Sequence, residues 1–145
     1  MKTKILNVLF SIFLLSPSAI LSASDLYHEE VNHKSKDGKD LIMVFDELQR
    51  HDKFSIVRVK YTSGASVPSI MFVVKGCYEI AKLRKEKYFI NLREWSDSQG
   101  SWIYKIGYTS DKSNDPKKYF GNDIDMSKEL EYMSVDDFAL IFNRK

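Results

Sequence analysis

Apolar and polar residues alternate along three stretches of the chain, and period-two alternation of this kind predicts β-strands. In the first stretch, Phe54–Thr62, valine and tyrosine side chains share one side of the predicted strand. The other two stretches, Tyr88–Trp95 and Trp102–Tyr108, flank the turn-forming sequence Ser96–Gly100 and predict a hairpin. A short apolar run, Leu41–Phe45, is either the start of a helix or a strand that would pair antiparallel with Phe54–Thr62.

Two other stretches carry apolar residues at helical spacing. Ile70, Val74 and Cys77 recur at the spacing of one helical face, and Ser66 precedes them as a predicted N-cap. Near the end of the chain, Ser134 precedes two acidic residues and a second apolar stripe. This pattern predicts a closing helix that is capped by Ser134.

The order of these elements predicts one α+β domain over residues 41–145. We expect an antiparallel sheet of about four strands, a central helix packed on one face and a C-terminal helix. Residues 24–40 are polar and charged, which predicts a flexible segment. The polar stretch 109–125 predicts a long loop that Tyr119 and Phe120 hold to the body of the domain.

The first 23 residues have the pattern of a secretory signal peptide. Lys2 and Lys4 give a positive start, Ile5–Leu15 is mostly apolar, and small residues around Ala23 fit a cleavage site. The apolar run is shorter than the roughly 20 residues that cross a bilayer, so we expect no transmembrane segment. The protein is therefore predicted to be exported, to the periplasm or out of the cell.

Removal of this segment would change the charge of the protein. The full chain has 22 basic and 20 acidic side chains, and loss of Lys2 and Lys4 leaves the two numbers equal. A neutral chain has no general attraction for phosphate backbones, so we expect no nucleic-acid partner. The one cysteine, Cys77, does not follow the cleavage site, and we therefore expect no lipid anchor.

Three motifs follow one another between residues 54 and 111: Val57–Tyr61, Gly76–Lys82 and Lys87–Leu92. This strand–helix–strand pattern resembles small, mostly uncharacterised bacterial cell-envelope proteins, many of them lipoproteins. The resemblance implies an exported bacterial α+β domain, and it brings no catalytic residues with it.

The residue types that commonly carry chemistry do not form a known catalytic or metal-binding motif. The histidines, His28, His33 and His51, lack the i, i+4 spacing of a helical zinc site. Cys77 falls among apolar residues of the predicted helix, which favours core packing over a reactive thiol. We expect no metal, no cofactor and no enzyme activity. The alternative is a small hydrolase whose carboxylates or Cys77 converge only in three dimensions.

Aromatic residues of the predicted hairpin give the candidate interaction surface. Trp95 and Trp102 would lie nearly opposite each other, where paired aromatics stabilise a hairpin by up to ~1 kcal/mol. If the terminal helix leaves them uncovered, they form an apolar patch of the kind that marks an interaction site. The candidate residues are Phe89, Arg93, Trp95, Trp102, Tyr104 and Tyr108.

The expected function is that of an exported, non-enzymatic binding protein of the bacterial envelope or secretome. Its partner would be a protein or an envelope component. A small inhibitor or immunity protein against an envelope-acting enzyme is an alternative, because such proteins lack catalytic motifs and act by blocking a cleft.

Overall fold

The computed structural model describes residues 25–34, 36–37, 40–64 and 66–143. The predicted signal peptide, residues 1–23, lies outside the described residues. The described residues form six strands and three helices. In chain order these are β1 (His28–His33), β2 (Leu41–Arg50), β3 (Phe54–Ser63), α1 (Ser66–Arg84), β4 (Tyr88–Ser96), β5 (Trp102–Thr109), α2 (Pro116–Phe120), β6 (Met133–Ser134) and α3 (Val135–Phe142).

All of these strands belong to one antiparallel sheet, in the order β1-β2-β3-β5-β4-β6. Strand β1 pairs with β2, β2 pairs with β3, and β4 pairs with β5, each with its neighbour along the chain. Strands β3 and β4 both run antiparallel to β5, so they are parallel to each other. Helix α1 provides the crossover that a parallel connection requires, and β5 is inserted between the two strands that α1 connects.

The sheet is curled into a half-barrel, and this finding corrects the predicted fold class. The prediction of about four strands with a central helix packed on one face is wrong, because the described residues are mostly sheet and contain six strands. Helix α1 contacts β2 and β4, which lie on either side of the central strands β3 and β5. Because strands on both sides of the sheet centre contact the helix, the sheet curves around α1. We call the side that faces α1 the concave face and the other side the convex face.

Strand β1 lies in the segment whose polarity predicts flexibility. It pairs with β2 along its whole length, from His28 opposite Asp46 to His33 opposite Leu41. An edge strand leaves many side chains in solvent and tolerates charge there. The polar composition of His28–His33 therefore fits a strand at the edge of a sheet.

Helix α2 lies within the stretch 109–125 that was expected to form a loop. Asp115 caps this helix by accepting a hydrogen bond from the backbone N–H of Lys118 at 3.1 Å, and Pro116 occupies its first turn. Phe120, the last residue of α2, is buried against the convex face of β4. The prediction that Phe120 holds this stretch to the domain is confirmed.

Helix α3 begins at Val135, and its cap is the predicted one. The side-chain oxygen of Ser134 accepts a hydrogen bond from the backbone N–H of Asp137 at 3.4 Å. Strand β6 immediately precedes this helix and pairs with the first residues of β4. The cap and the short strand together set the direction in which α3 returns over the concave face.

The main core lies between the concave face and the helices. Phe45 of β2 and Phe89 of β4 are fully buried there. Helix α3 adds Phe138 and Phe142, whose stacked rings contact Phe89 and Tyr78 respectively. Aromatic contacts of this kind close the core at the end of the sheet where α3 lies.

Helix α1 approaches the sheet closely at Gly76. A Cβ atom at this position would lie 2.6 Å from the ring of Phe45, so only glycine leaves room for that ring. Ile80, one turn later, is fully buried, whereas Val67 and Ile70 near the start of the helix are exposed. Helix α1 therefore packs most closely around Gly76 to Ala81, and its first turns leave Val67 and Ile70 exposed although Phe72 between them and Gly76 is buried.

We expect the substitution Gly76→Ala to destabilise the protein by about 1–3 kcal/mol, because overpacking outweighs the ~1 kcal/mol that alanine gains in helix propensity. Denaturant unfolding measures the change. The same substitution should cost less in a Phe45→Leu background, where the ring is gone. An equal cost in both backgrounds would contradict the close contact.

A buried carboxylate, Glu47, ties the start of the fold to the β2–β3 hairpin. Its side chain is fully buried and accepts hydrogen bonds from the Ser55 hydroxyl at 2.6 Å and the backbone N–H of Tyr27 at 3.0 Å. The guanidinium of Arg50 forms an ion pair with it, with Nε 2.9 Å from Oε1. Burial alone would raise the pKa of Glu47, but these hydrogen bonds outweigh it and hold the pKa below its ordinary value.

We expect the Glu47 ion pair to make stability depend on acid pH. Because folding lowers the pKa of Glu47, its contribution is present above the ordinary value of 4.5 and is lost as the pH falls through the lower pKa of the folded protein. Glu47→Gln should cost about 3 kcal/mol at neutral pH, because it leaves Arg50 unpaired. Unfolding curves at several pH values should show this difference shrinking in acid, and a constant difference would contradict the role of the charge.

Candidate functional site

A β-bulge in β4 decides where the aromatic residues of the hairpin point. The pairing of β4 with β5 shifts register after Asn91, so the side chains that follow change faces relative to simple alternation. Trp95 is opposite Ile103, and Ser96 is opposite Trp102. The two tryptophans therefore project from opposite faces of the sheet, and the prediction that they lie nearly opposite each other as an aromatic pair is wrong.

The six candidate residues of the hairpin fall in three different places. Two are in the main core, two are on the convex face and two are on the concave face. The core pair is Phe89 and Tyr108, the convex pair is Arg93 and Trp95, and the concave pair is Trp102 and Tyr104. The structure does not bring them together as one surface.

The pair on the convex face takes part in fixing the segment after α2. The guanidinium of Arg93 lies 5.7 Å from the centre of the Trp95 ring and forms an ion pair with Asp123. The ammonium of Lys105 lies 3.3 Å from the other carboxylate oxygen of Asp123. Hydrogen bonds from Arg93 and Lys105 hold the pKa of Asp123 below its ordinary value. These charges satisfy one another, which accounts for Arg93 without a ligand.

The pair in the core is inaccessible to a partner. Phe89 and Tyr108 are fully buried, and the guanidinium of Arg84 covers the Tyr108 ring at 4.8 Å. The Tyr108 hydroxyl has no hydrogen-bond partner among the described residues. Burial raises the pKa of Tyr108 well above its ordinary value, so the hydroxyl stays neutral.

The pair on the concave face lines an open cavity of about 420 Å³, which we call the concave groove. One wall is the first half of α1, and the other wall and the floor are strands β2, β3 and β5. The helix contributes Ser69, Ile70, Val73 and Val74, and the strands contribute Met43, Val59, Tyr61, Trp102 and Tyr104. Among the described residues, no charged side chain lines this groove.

The concave groove exposes large apolar side chains to solvent. Trp102 is 46% exposed, Tyr61 51% and Ile70 60%. Val67, one turn before Ile70 on the helix, is 69% exposed. Large apolar side chains that cluster around a concavity mark a binding site, whereas single ones scattered over a surface do not.

Comparison with protein-family models, with curated proteins and with solved structures finds no match for this chain. The resemblance to bacterial envelope proteins stays a prediction.

Two tyrosine hydroxyls are among the polar groups of the groove lining, together with the hydroxyl of Ser69. The hydroxyl of Tyr61 donates a hydrogen bond to the carbonyl oxygen of Gly64, which fixes the ring at the end of β3. Burial, together with the nearby carboxylate of Glu94, raises the pKa of Tyr104. The Tyr104 hydroxyl therefore keeps its proton at neutral pH and can donate a hydrogen bond.

Sequence reasoning found part of this groove and missed the rest. The aromatic pattern of the hairpin predicts Trp102 and Tyr104, whereas helical spacing predicts that Ile70 and Val74 face the core. The signal in the sequence is the length of the apolar stripe of α1. This stripe extends to Val67 and Ile70, several residues before Gly76, where the helix packs closely on the sheet. Only the fold shows that Ile70 lies across the groove from β3 and β5.

Metal-ligating side chains are not clustered in the described part of the chain. There, no group of three or more histidine, cysteine or acidic side chains is placed to hold a metal ion. His28 contacts Asp46 at 2.7 Å, and His51 stacks on Phe54. None of the helices in this part of the chain has both the length and the apolarity of a membrane span.

The thiol of Cys77 is buried in the main core, and burial raises its pKa to about 12. We expect the folded protein to react slowly with an aromatic disulfide reagent at mildly alkaline pH, and to react completely once denatured with guanidinium. Absorbance of the released thiolate measures both rates. Rapid modification of the folded protein would contradict this buried, protonated thiol.

Proposed function

We propose that this protein is an exported, non-enzymatic binding protein of the bacterial envelope or secretome, and that the concave groove holds the apolar part of its ligand. The observation that carries the proposal is an open cavity of about 420 Å³ that uncharged, mostly aromatic and aliphatic side chains surround, with Trp102, Tyr61 and Ile70 exposed to solvent. Export remains an expectation from the first 23 residues.

The size and shape of the groove support a small ligand. Pockets that bind small molecules typically measure about 300–1,000 Å³ and are lined mainly by apolar and aromatic side chains with a few polar groups. The concave groove matches that description, since tyrosine and serine hydroxyls interrupt an otherwise apolar lining. A ligand that covers Trp102 and Ile70 removes apolar surface from water, which supplies about 25 cal/mol for each Å² buried.

The electrostatics of the groove support an uncharged ligand. A charged group that enters an apolar site without a partner loses its hydration, at a cost of several kcal/mol. The described lining offers no such partner, because it contains no charged side chain. We therefore expect the part of the ligand that enters the groove to be neutral.

A neutral apolar fluorophore tests the proposal. We expect phenylnaphthylamine to bind the purified protein with increased emission, and Trp102→Ala to weaken its affinity about tenfold, because the substitution removes a large apolar contact. The matched control is Trp95→Ala, since Trp95 is 37% exposed but lies on the convex face.

The result expected is a loss of affinity in the Trp102 variant only, with thermal unfolding showing that both variants are folded. Failure of the wild-type protein to bind the fluorophore would overturn the proposed function. Equal losses in the two variants would place the binding site outside the concave groove.

A further inference from the structure

The Tyr104 side chain, which lines the concave groove, carries an unused hydrogen-bond donor. Tyr104 is half-buried and lines the groove, and no described residue hydrogen-bonds to its hydroxyl. This hydroxyl is not sealed from solvent, so a ligand that covers it must itself hydrogen-bond to it, because a covered hydroxyl left unpaired costs about 1–3 kcal/mol. A hydroxyl without a partner at the wall of an open groove is therefore placed to bond to a ligand.

A second donor lies two residues away on the same face of β5. The indole N–H of Trp102 can only donate, and no described residue accepts from it. The other tyrosine of the groove differs, because the Tyr61 hydroxyl already donates to the carbonyl oxygen of Gly64. The unpaired polar groups on β5 thus offer protons to a ligand.

The surroundings of Tyr104 define which acceptor fits. Val57 is directly opposite Tyr104 on β3, and Glu94, which is ion-paired with Lys128, is opposite it on β4. Trp102 and Val59 lie one step along the groove floor. A carboxylate or phosphate at this point would face apolar walls with no cation among the described lining residues. A neutral acceptor, such as a carbonyl oxygen, accepts the hydrogen bond and avoids the cost of burying a charge.

We propose that the ligand of the concave groove is an uncharged apolar molecule that carries a carbonyl oxygen, and that the Tyr104 hydroxyl donates a hydrogen bond to that oxygen. This inference rests on the proposed function, because it specifies the ligand of the same groove. Tyr104 would thereby select, among apolar molecules of similar size and shape, those that carry a hydrogen-bond acceptor.

Three probes of nearly equal size test the inference by calorimetric titration of the purified protein. Methyl naphthyl ketone carries the neutral acceptor, ethylnaphthalene lacks it, and naphthoate replaces it with a charge. We expect the ketone to bind about three- to tenfold more tightly than ethylnaphthalene, the range expected for one hydrogen bond. We expect naphthoate to bind more weakly than both.

The variant Tyr104→Phe removes the hydroxyl and keeps the ring, so it separates the hydrogen bond from the shape of the groove. It should abolish the preference for the ketone and leave the affinity for ethylnaphthalene unchanged. The matched control is Tyr88→Phe, which removes a hydroxyl on the convex face beside Tyr132 and should leave the preference intact.

The outcomes distinguish this inference from the proposed function. If the ketone and ethylnaphthalene bind equally well, or if Tyr104→Phe retains the preference, the assigned hydrogen bond is wrong while the groove remains a binding site. If naphthoate binds most tightly, the neutral class of ligand is wrong. If the wild-type protein binds none of the probes, the proposed function itself fails.

Discussion

The fit of the Phe45 ring against Gly76 is the contact on which the rest of the architecture depends. It lets the second half of α1 lie close to the concave face, where Ile80 and Phe89 are fully buried. Packing is tight from Gly76 to Ala81, while Val67 and Ile70 in the first turns of the helix are exposed. A helix held at one end over a curled sheet leaves a wedge of space at the other. The concave groove is that space, so the same contact that stabilises the core also creates the candidate site.

Local patterns predicted the regular elements well, because each depends on a few neighbouring residues. Strands β3, β4 and β5 begin at Phe54, Tyr88 and Trp102, as alternation predicts. The patterns failed where pairing partners decide the structure. Charged β1 is a strand because β2 lies beside it, and two-residue β6 is too short to leave a periodic signal. The number of strands, and with it the curl of the sheet, depends on contacts between distant parts of the chain.

The candidate site was less predictable than the fold, for a reason that one position illustrates. Alternation places Trp95 and Trp102 on a shared surface, but the bulge after Asn91 transfers Trp95 to the convex face. A bulge adds one residue to one strand and has no reliable signature in composition. The groove also takes its walls from β2, β3, α1 and β5, so Tyr61 and Ile70 come together only through the crossover topology.

The charged edge strand β1 has a consequence for how the protein behaves at high concentration. A sheet edge with free backbone groups can recruit the edge of another molecule, and an exposed apolar groove on the same molecule adds to that hazard. Strand β1 carries Glu29, Glu30 and histidines at both ends, so bringing two copies edge to edge would crowd like charges and hydrated side chains together. At the other side of the sheet, β6 and the hydrogen bond from Asp125 N–H to the Leu92 carbonyl at 2.7 Å occupy part of the β4 edge. The fold therefore combines an exposed apolar groove with sheet edges whose charges and partial cover oppose edge-to-edge pairing of two molecules.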